Sequence, residues 1–306
     1  MNSVLTQKIP KGTFSNYLNK KYMRNEFQMI INITDQDQEH RKKLKQLDAK
    51  LCRYKDIYPY EYNIIKINNS HEYVNASMMN VITEGSFIAS QGPNDNTVDD
   101  FWQMCFQYNV KYILMLCKEF EDNKKKCSNY WDKNMVSEDF QNVGFQTNPP
   151  DNFTNFIVRN KIKICNKITN EAREFEHMQF KQWPDHSTPN IQNYVMLFSQ
   201  MFRFIDEGRE LKKNNIQIGP ILIHCSAGIG RTGVFITLYA LCKEIDNQLK
   251  SQDSDCIIFS VFNFVRKLKE MRLFSVENIN QYNFIYKFLE EYLREINFPP
   301  QPQMSS

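Results

Sequence analysis

The hydrophobic and polar positions of this chain follow two periods, one typical of buried strands and one typical of amphipathic helices. Residues 221–223 form a short apolar run, the pattern of a strand that is buried on both faces. Residues 111–117 predict a second buried strand, and residues 153–182 predict two or three more. Apolar residues recur at helical spacing in three segments: 14–50, 234–250 and 258–272. Strands that alternate with helices in this way predict an α/β domain.

The segment between the strand at 221–223 and the next helix holds Cys225 and Arg231, with five residues between them. Five residues can wrap once around an anion of the size of phosphate. We expect Gly228 and Gly230 to let the backbone come close and to adopt positive φ angles. The loop N–H groups and the helix N-terminus would bind the anion, and Arg231 would hold two of its oxygens with a planar fork. The predicted phosphate-binding residues are Ser226, Ala227, Gly228, Ile229 and Gly230.

The same loop predicts a reactive thiol at Cys225. Cysteines at helix N-termini or beside cations have pKa values of roughly 3.5–7.5 instead of about 8.5, so this position favours the thiolate. A thiolate that faces a bound phosphate is a nucleophile for phosphoryl transfer. The alternative is a buried cysteine in a glycine-rich turn. The chain has only 9 glycines, and three of them lie between positions 228 and 233, which favours the catalytic interpretation.

Composition and charge exclude several classes of partner. The 306 residues are 42% hydrophobic and 24% charged, and the net charge of +3 is too small to indicate nucleic acid or membrane. The basic run at residues 41–45 has no interleaved aromatic residues, so we interpret it as a solvated helix face. The chain has no run of 18 apolar residues, and its first residues have no signal-peptide core. We therefore expect a cytoplasmic protein that binds neither nucleic acid nor a membrane.

The eight cysteines are scattered along the chain, with no Cys-x-x-Cys pair and no clustering with the five histidines. This spacing predicts no metal site and no cofactor. Free thiols in a reducing compartment are the expectation for a chain of this length, and a catalytic thiolate needs the same compartment.

Residues 224–233 resemble the phosphate loop of the tyrosine-specific protein phosphatases. The resemblance implies that the chain hydrolyses phosphotyrosine in proteins through a cysteinyl phosphate, without a metal, as a monomer. It implies a single domain with a twisted mixed β-sheet flanked by α-helices on both faces. The resemblance covers residues 25–295, which we expect to be the catalytic domain. We expect residues 1–24 to be a helical extension and residues 296–306 to be a disordered tail.

Residues 183–186 resemble the acid loop of the same family. A tyrosyl leaving group departs as a poor anion unless a proton arrives as the bond breaks. By this resemblance, Asp185 supplies that proton and later takes one from water, and Trp183 anchors the loop beside the substrate. Ser187 and Thr188 depart from the family pattern of Gly and Val, a change that we expect to slow loop closure.

Two further segments resemble family loops beside the phosphate. In residues 52–60, the resemblance implies that Tyr54 stacks on the substrate ring, that Lys55 favours acidic neighbours and that Asp56 accepts peptide N–H bonds. In residues 119–131, Glu121 and Lys126 align with the acid and the lysine of a mobile loop that lies beside the active site in the family. The alternatives are a tyrosine-rich turn for the first segment and a solvated charge run for the second.

The resemblance assigns roles to three residues of the hydrolysis step. Thr232 is expected to donate a hydrogen bond to the sulfur of Cys225, and Gln281 matches the second glutamine of a family loop. The first glutamine, which positions the hydrolytic water, is Glu277 in this chain. A carboxylate near a phosphoryl intermediate adds repulsion and lacks the amide donor. This departure predicts slow hydrolysis of the cysteinyl phosphate.

Two rival functions remain open. One is a phosphotyrosine binder with weak or no catalysis, which the departures at Glu277 and Ser187 suggest. The other is a phosphatase with the same cysteine chemistry that acts on lipids or on RNA 5′ phosphates, which Tyr54 opposes. The composition, rich in Asn, Ile and Lys, is similar in style to the phosphatases of wasp polydnaviruses, the bracoviruses, which would place the protein in host cytoplasm.

Overall fold

The computed structural model describes residues 7–10, 20–69, 71–82, 86–148, 156–183, 188–189, 191–250 and 256–297. Its strands are β1 (Gln7–Pro10), β2 (Ile64–Lys66), β3 (Tyr73–Met79), β4 (Phe87–Ser90), β5 (Tyr112–Met115), β6 (Phe120–Glu121), β7 (Lys124–Lys125), β8 (Phe140–Asn148), β9 (Ile157–Asn166), β10 (Ala172–Phe180), β11 (Ile221–His224) and β12 (Cys256–Phe259). Its helices are α1 (Lys20–Ile33), α2 (Gln38–Lys42), α3 (Val98–Gln107), α4 (Ile191–Lys213), α5 (Gly230–Lys250), α6 (Val261–Met271) and α7 (Ile279–Asn297).

The central sheet of the described residues has eight strands in the order β2-β3-β4-β11-β5-β10-β9-β8. The four inner strands β4, β11, β5 and β10 are parallel, and the outer pairs are antiparallel. Strands β5 and β11 are buried along their whole length, as their apolar runs predict. The prediction of an α/β domain with a mixed sheet flanked by helices is confirmed.

The element boundaries depart from the hydrophobic pattern in three places. The described part of residues 153–182 forms two long strands, β9 and β10, which is within the predicted two or three, but β8 extends the same antiparallel sheet outward in a segment for which no strand was predicted. The predicted helix at 258–272 begins only at Val261, because residues 256–259 pair with β1 as a strand. Within the predicted helical segment 14–50, the described residues 20–50 form α1 and the short α2 and no further helix.

Of residues 1–24, which the sequence predicts to be a helical extension, the structure describes positions 7–10 and 20–24. Residues 7–10 form strand β1, and α1 runs across the expected boundary at 24, with Met23 and Phe27 buried on either side of it. Glu26, whose pKa burial raises, accepts hydrogen bonds from the hydroxyls of Tyr282 at 2.9 Å and Tyr286 at 2.7 Å. Helix α1 is thus joined to α7 as part of the main core.

The proposed tail at 296–306 begins inside the last turn of α7, and its residues 298–306 lie outside the described residues.

The C-terminal ends of the inner parallel strands meet at one edge of the sheet. In the register, His224 at the end of β11 stands beside Ser90 of β4 and Met115 of β5. Ligands of open α/β sheets bind outside the carboxyl ends of their strands, because the connecting loops converge there. The segments after β4, β5 and β11 therefore meet around the residue that follows His224, which is Cys225.

Candidate active site

The loop between β11 and α5, residues 225–229, is closely packed against the end of β4. Gly228 has a φ of 71°, and a β carbon there would lie 2.1 Å from the carbonyl oxygen of Ser90, so only glycine fits. Gly230 does not have the predicted positive φ, because it is the first residue of α5. Its lack of a side chain has another reason, since a β carbon there would lie 2.8 Å from Nε2 of Gln281.

Arg272 holds the outer side of this loop. It is fully buried, and it donates from Nε to the carbonyl oxygen of Gly228 at 2.8 Å and from Nη2 to that of Ala227 at 3.1 Å. It also donates to Asn75 and Ser77. Burial lowers the pKa of Arg272 to about 10. Because Arg272 binds the loop carbonyl oxygens on the outer side, the loop N–H groups are available on the inner side, where Cys225 lies.

The sulfur of Cys225 accepts a hydrogen bond from the backbone N–H of Gly228 at 3.3 Å, as expected for an anion-binding loop. The residue is 4% exposed, and that small area faces the pocket described below. Thr232 does not make the predicted bond to this sulfur. Its Oγ1 is buried in the first turn of α5, without a hydrogen-bond partner among the described residues.

Arg231 is held by the carboxylate of Glu121, which lies in a segment that resembles a family loop beside the phosphate. Its Nη1 donates to Oε1 of Glu121 at 2.7 Å and its Nη2 to Oε2 at 2.6 Å, and Nη1 also donates to the carbonyl oxygen of Leu116 at 3.2 Å. Burial lowers the pKa of Arg231, but the two bonds to Glu121 more than reverse this effect, so the pKa lies above its ordinary value. Arg231 is therefore a permanent, oriented cation at the loop.

These groups surround a pocket of about 460 Å³. Tyr54 stands at its rim, 37% exposed, with its hydroxyl 2.9 Å from Oγ of Ser226. Ten of the predicted residues line it, namely Tyr54, Lys126, Cys225, Ser226, Ala227, Ile229, Gly230, Arg231, Glu277 and Gln281. The geometry therefore brings the predicted nucleophile, cation and aromatic wall to one cavity.

Five predicted site residues do not line the pocket. Lys55 and Asp56 are exposed beside Tyr54, and Gly228 shapes the loop from behind. Thr232 is buried in α5. Trp183 is buried against Phe198 and Phe284, with ring centroids 5.4 Å and 6.1 Å away.

The predicted acid Asp185, with Ser187, lies outside the described residues.

Sequence reasoning missed Arg53, which joins the loops around the pocket. Its guanidinium donates to the carbonyl oxygens of Gly92 at 2.9 Å, Pro93 at 2.5 Å and Lys125 at 3.1 Å. Its backbone N–H donates to Oε1 of Gln91 at 2.9 Å. Arg53 thereby fixes the position of its neighbour Tyr54. No local pattern marks this role, because all its partners lie at least 38 residues away.

The model of the protein-tyrosine phosphatase family matches residues 48–291. The chain belongs to the protein-tyrosine phosphatase family. It is 32% identical over 250 residues to the tyrosine-protein phosphatase non-receptor type 20 of Rattus norvegicus, a match that covers 80% of this chain and 54% of that relative. It is 32% identical over 248 residues to the human receptor-type tyrosine-protein phosphatase C, covering 78% of this chain and 18% of that relative. The chain thus spans about half, or less, of these relatives.

A solved structure shares the fold. The catalytic domain of human protein tyrosine phosphatase non-receptor type 18 superposes with a TM-score of 0.70 at 25% sequence identity, covering 89% of this chain and 96% of that one.

In this member of the protein-tyrosine phosphatase family, Glu277 and Gln281 line one side of the pocket. The N–H of Glu277 donates to Oε1 of Gln281 at 2.8 Å, which ties the two residues together. The Glu277 carboxylate is exposed, and its Oε2 would lie 3.0 Å from a β carbon at Gly230. A negative charge therefore stands at the edge of a loop built to bind an anion.

A buried chain of hydrogen bonds lies behind Cys225. Nδ1 of His224 lies 3.0 Å from the carbonyl oxygen of Cys225, which can only accept, so Nδ1 carries the proton. Nε2 of His224 then accepts from the hydroxyl of Tyr130 at 2.6 Å, and that oxygen accepts from Nε2 of His177 at 3.1 Å. Burial lowers the pKa of His224 to about 4 and that of His177 to about 3, so both rings are neutral.

The two neutral histidines predict acid sensitivity. Between about pH 4 and 6.5 the unfolded chain binds protons at His177 and His224 that the folded protein does not bind. The free energy of unfolding therefore falls as the pH falls below 6.5, by up to about 1.4 kcal/mol per pH unit for each histidine. Urea unfolding of wild type and His177→Gln at pH 7.5, 6.5, 5.5 and 4.5 measures this, and the variant should lose less stability between pH 6.5 and 4.5. Identical slopes would contradict the assignment.

Among the described residues, no group of three or more His, Cys, Asp or Glu side chains could hold a metal ion. All eight cysteines are free thiols. No helix in the described ranges is long and apolar enough to cross a bilayer.

Proposed function

We propose that this chain hydrolyses phosphotyrosine in proteins through a cysteinyl-phosphate intermediate. The observation that carries the proposal is that Cys225 in the loop and Arg231 in the first turn of α5 line one pocket, with Tyr54 at its rim. The tyrosine ring of a substrate would stack on Tyr54 while its phosphate enters the loop. Donors that are already oriented toward an anion stabilise developing charge without reorganisation, and this is usually the largest catalytic term.

In the first step, the Cys225 sulfur attacks phosphorus, a sulfur–phosphorus bond forms and the bond to the tyrosyl oxygen breaks. Asp185 donates its proton to that oxygen, which leaves as neutral tyrosine. In the second step, water attacks phosphorus, gives a proton to Asp185, and the sulfur leaves as thiolate. Arg231 and the loop N–H groups hold the phosphoryl oxygens throughout, and Gln281, which lines the same pocket, orients the water.

The finer assignments extend this proposal. We place the catalytic domain at residues 25–295, with the whole of α1 joined to it because Met23 is buried in the same core. We propose phosphotyrosine proteins as partners and a monomer that acts in the cytoplasm. The similarity of composition to bracovirus phosphatases would make this the cytoplasm of an infected host.

Phosphate release decides between this function and its rivals. We expect wild type to release phosphate from a phosphotyrosine peptide and not from the matched phosphoserine peptide, a phosphoinositide or an RNA 5′ phosphate. Stable capture of the phosphotyrosine peptide without release would instead support the weakly catalytic binder that Glu277 suggests. Hydrolysis of the lipid or RNA alone would overturn the substrate assignment.

Glu277 is expected to limit turnover. Its carboxylate repels the phosphoryl group at the loop and offers no amide donor to the attacking water. Rapid-quench mixing of wild type with an aryl phosphate should show a burst followed by slow turnover. Glu277→Gln should raise the steady-state rate about tenfold, which corresponds to about 1.4 kcal/mol, the scale of one hydrogen bond. The control Glu174→Gln, on the exposed face of β10, should change nothing. Linear release from time zero in wild type would contradict this prediction.

A further inference from the structure

The hairpin of β6 and β7 has a defined geometry. Its turn consists of Asp122 and Asn123, whose φ angles of 47° and 58° are both positive, the backbone that a two-residue type I′ turn requires. In the antiparallel register, Glu121 stands opposite Lys124. Residues that face each other across an antiparallel pair lie on the same side of it. Glu121 and Lys124 therefore project from one face of the hairpin.

That face is turned toward the phosphate loop. The Glu121 carboxylate accepts both hydrogen bonds from Arg231, and Lys124 lines the pocket. Just after the hairpin, the carbonyl oxygen of Lys126 accepts a hydrogen bond from the hydroxyl of Ser226 at 2.9 Å. The hairpin is thus bound to the loop at both of its ends, which fixes where Lys124 stands relative to a bound phosphate.

Lys124 differs from three other cations that line the pocket. The Arg53 guanidinium donates to three carbonyl oxygens, Lys125 pairs with Asp95 at 2.6 Å, and Arg231 pairs with Glu121. Lys124 is exposed and has no ion pair with any carboxylate in the described part of the chain. A solvated ammonium at the rim is available to a charge that arrives with the substrate.

We propose that Lys124 is a specificity-determining residue that pairs with an acidic side chain next to the phosphotyrosine. This inference rests on the proposed function, because it takes the phosphotyrosine to be seated between Tyr54 and the loop. The residues that flank the phosphotyrosine must then cross the rim within reach of the hairpin. Phosphotyrosine segments with Asp or Glu neighbours are the substrate class that this ammonium favours, and segments with Lys or Arg neighbours are disfavoured.

Binding to a variant without the nucleophile tests this proposal independently of turnover. Two phosphotyrosine peptides, one with Glu and one with Lys on both sides of the phosphotyrosine, are titrated by fluorescence anisotropy against Cys225→Ser at low salt. We expect the acidic peptide to bind more tightly. Adding Lys124→Glu should change the ratio of the two dissociation constants about tenfold toward the basic peptide, and 0.5 M NaCl should remove most of the preference.

Lys212→Glu in the same background is the matched control. It makes the same change of charge at the C-terminal end of α4, before β11 and at the opposite end of that strand from Cys225, and it should leave the ratio unchanged. An unchanged ratio with Lys124→Glu, or an equal change with Lys212→Glu, overturns the proposal while leaving the phosphatase function intact. Lack of phosphate release by wild type, with the ratio still changed by Lys124→Glu and not by Lys212→Glu, overturns the function alone. Failure of Cys225→Ser to bind either peptide overturns both.

Discussion

Replacing Cys225 by serine should lower kcat for phosphotyrosine peptides by at least about 10⁴-fold while leaving their binding largely intact. The hydroxyl of serine is a far weaker nucleophile, because no neighbouring base activates it. The contacts that hold the phosphate do not depend on sulfur, since they come from Arg231 and from loop N–H groups that Arg272 orients. A lower kcat with unchanged substrate binding is the pattern expected when the lost interaction is made only in the transition state.

Phosphate release and peptide anisotropy, measured on the same preparation, separate these two effects. Cys165→Ser is the matched control, because it removes a partly exposed thiol of β9 that lies outside the pocket. It should keep full activity. Activity of Cys225→Ser within about 100-fold of wild type would contradict a cysteinyl-phosphate mechanism. Loss of peptide binding together with activity would show that the substitution disturbs the loop rather than the chemistry.

The parts of this fold that sequence could predict are those whose burial is complete. Strands β5 and β11 are apolar on both faces, because the inner strands of the sheet are covered on both sides, and a continuous apolar run identifies them. Strand β8 lies at the edge of the sheet, where Val143 and Phe145 are exposed and no such run forms. The segment was not predicted as a strand for that reason.

The parts of the site that sequence could predict are local in the chain. The phosphate loop lies within one short segment, so the spacing of Cys225 and Arg231 indicates its chemistry directly. Arg272 bonds to Gly228, 44 residues away, and to Asn75, 197 residues away. Its buried position at the end of α6 follows an amphipathic pattern that gives no sign of these partners. His177 likewise reaches the site through its bond to Tyr130, from strand β10, which β5 separates from β11.

Glu121 combines a contact that sequence could not predict with a charged surface that it could. Its resemblance to a family acid was balanced by the alternative of a solvated charge run. The structure places its carboxylate on Arg231, because a two-residue turn folds a highly charged hairpin back onto the loop. Lys124 and Lys125 nevertheless remain exposed, so one segment combines a partly buried carboxylate, bound to Arg231, with a solvated surface.

Arg231→Lys should lower kcat/KM for a phosphotyrosine peptide by about 10³-fold, although it conserves the charge. Lysine has a single ammonium group, so it cannot bind Glu121 through two parallel bonds and present a planar fork to phosphate at the same time. The loss of one oriented donor to a developing anion costs about 10²–10³-fold, and this substitution removes the orientation as well. Because the pKa of Arg231 is raised further, its charge is constant across the assay range and the loss should not depend on pH.

Glu121→Gln tests whether Glu121 acts by orienting Arg231 or by its own contact with the substrate or the acid loop. The amide keeps one acceptor oxygen for Arg231 but not the second, so we expect a loss of only about tenfold. If Glu121 acts entirely through Arg231, the double variant should be no worse than Arg231→Lys alone, because the single effects are not additive for groups that work as one unit. Arg203→Lys on the exposed side of α4 is the matched control and should be neutral. Additive losses in the double variant would mean that Glu121 contacts the substrate or the acid loop independently of Arg231.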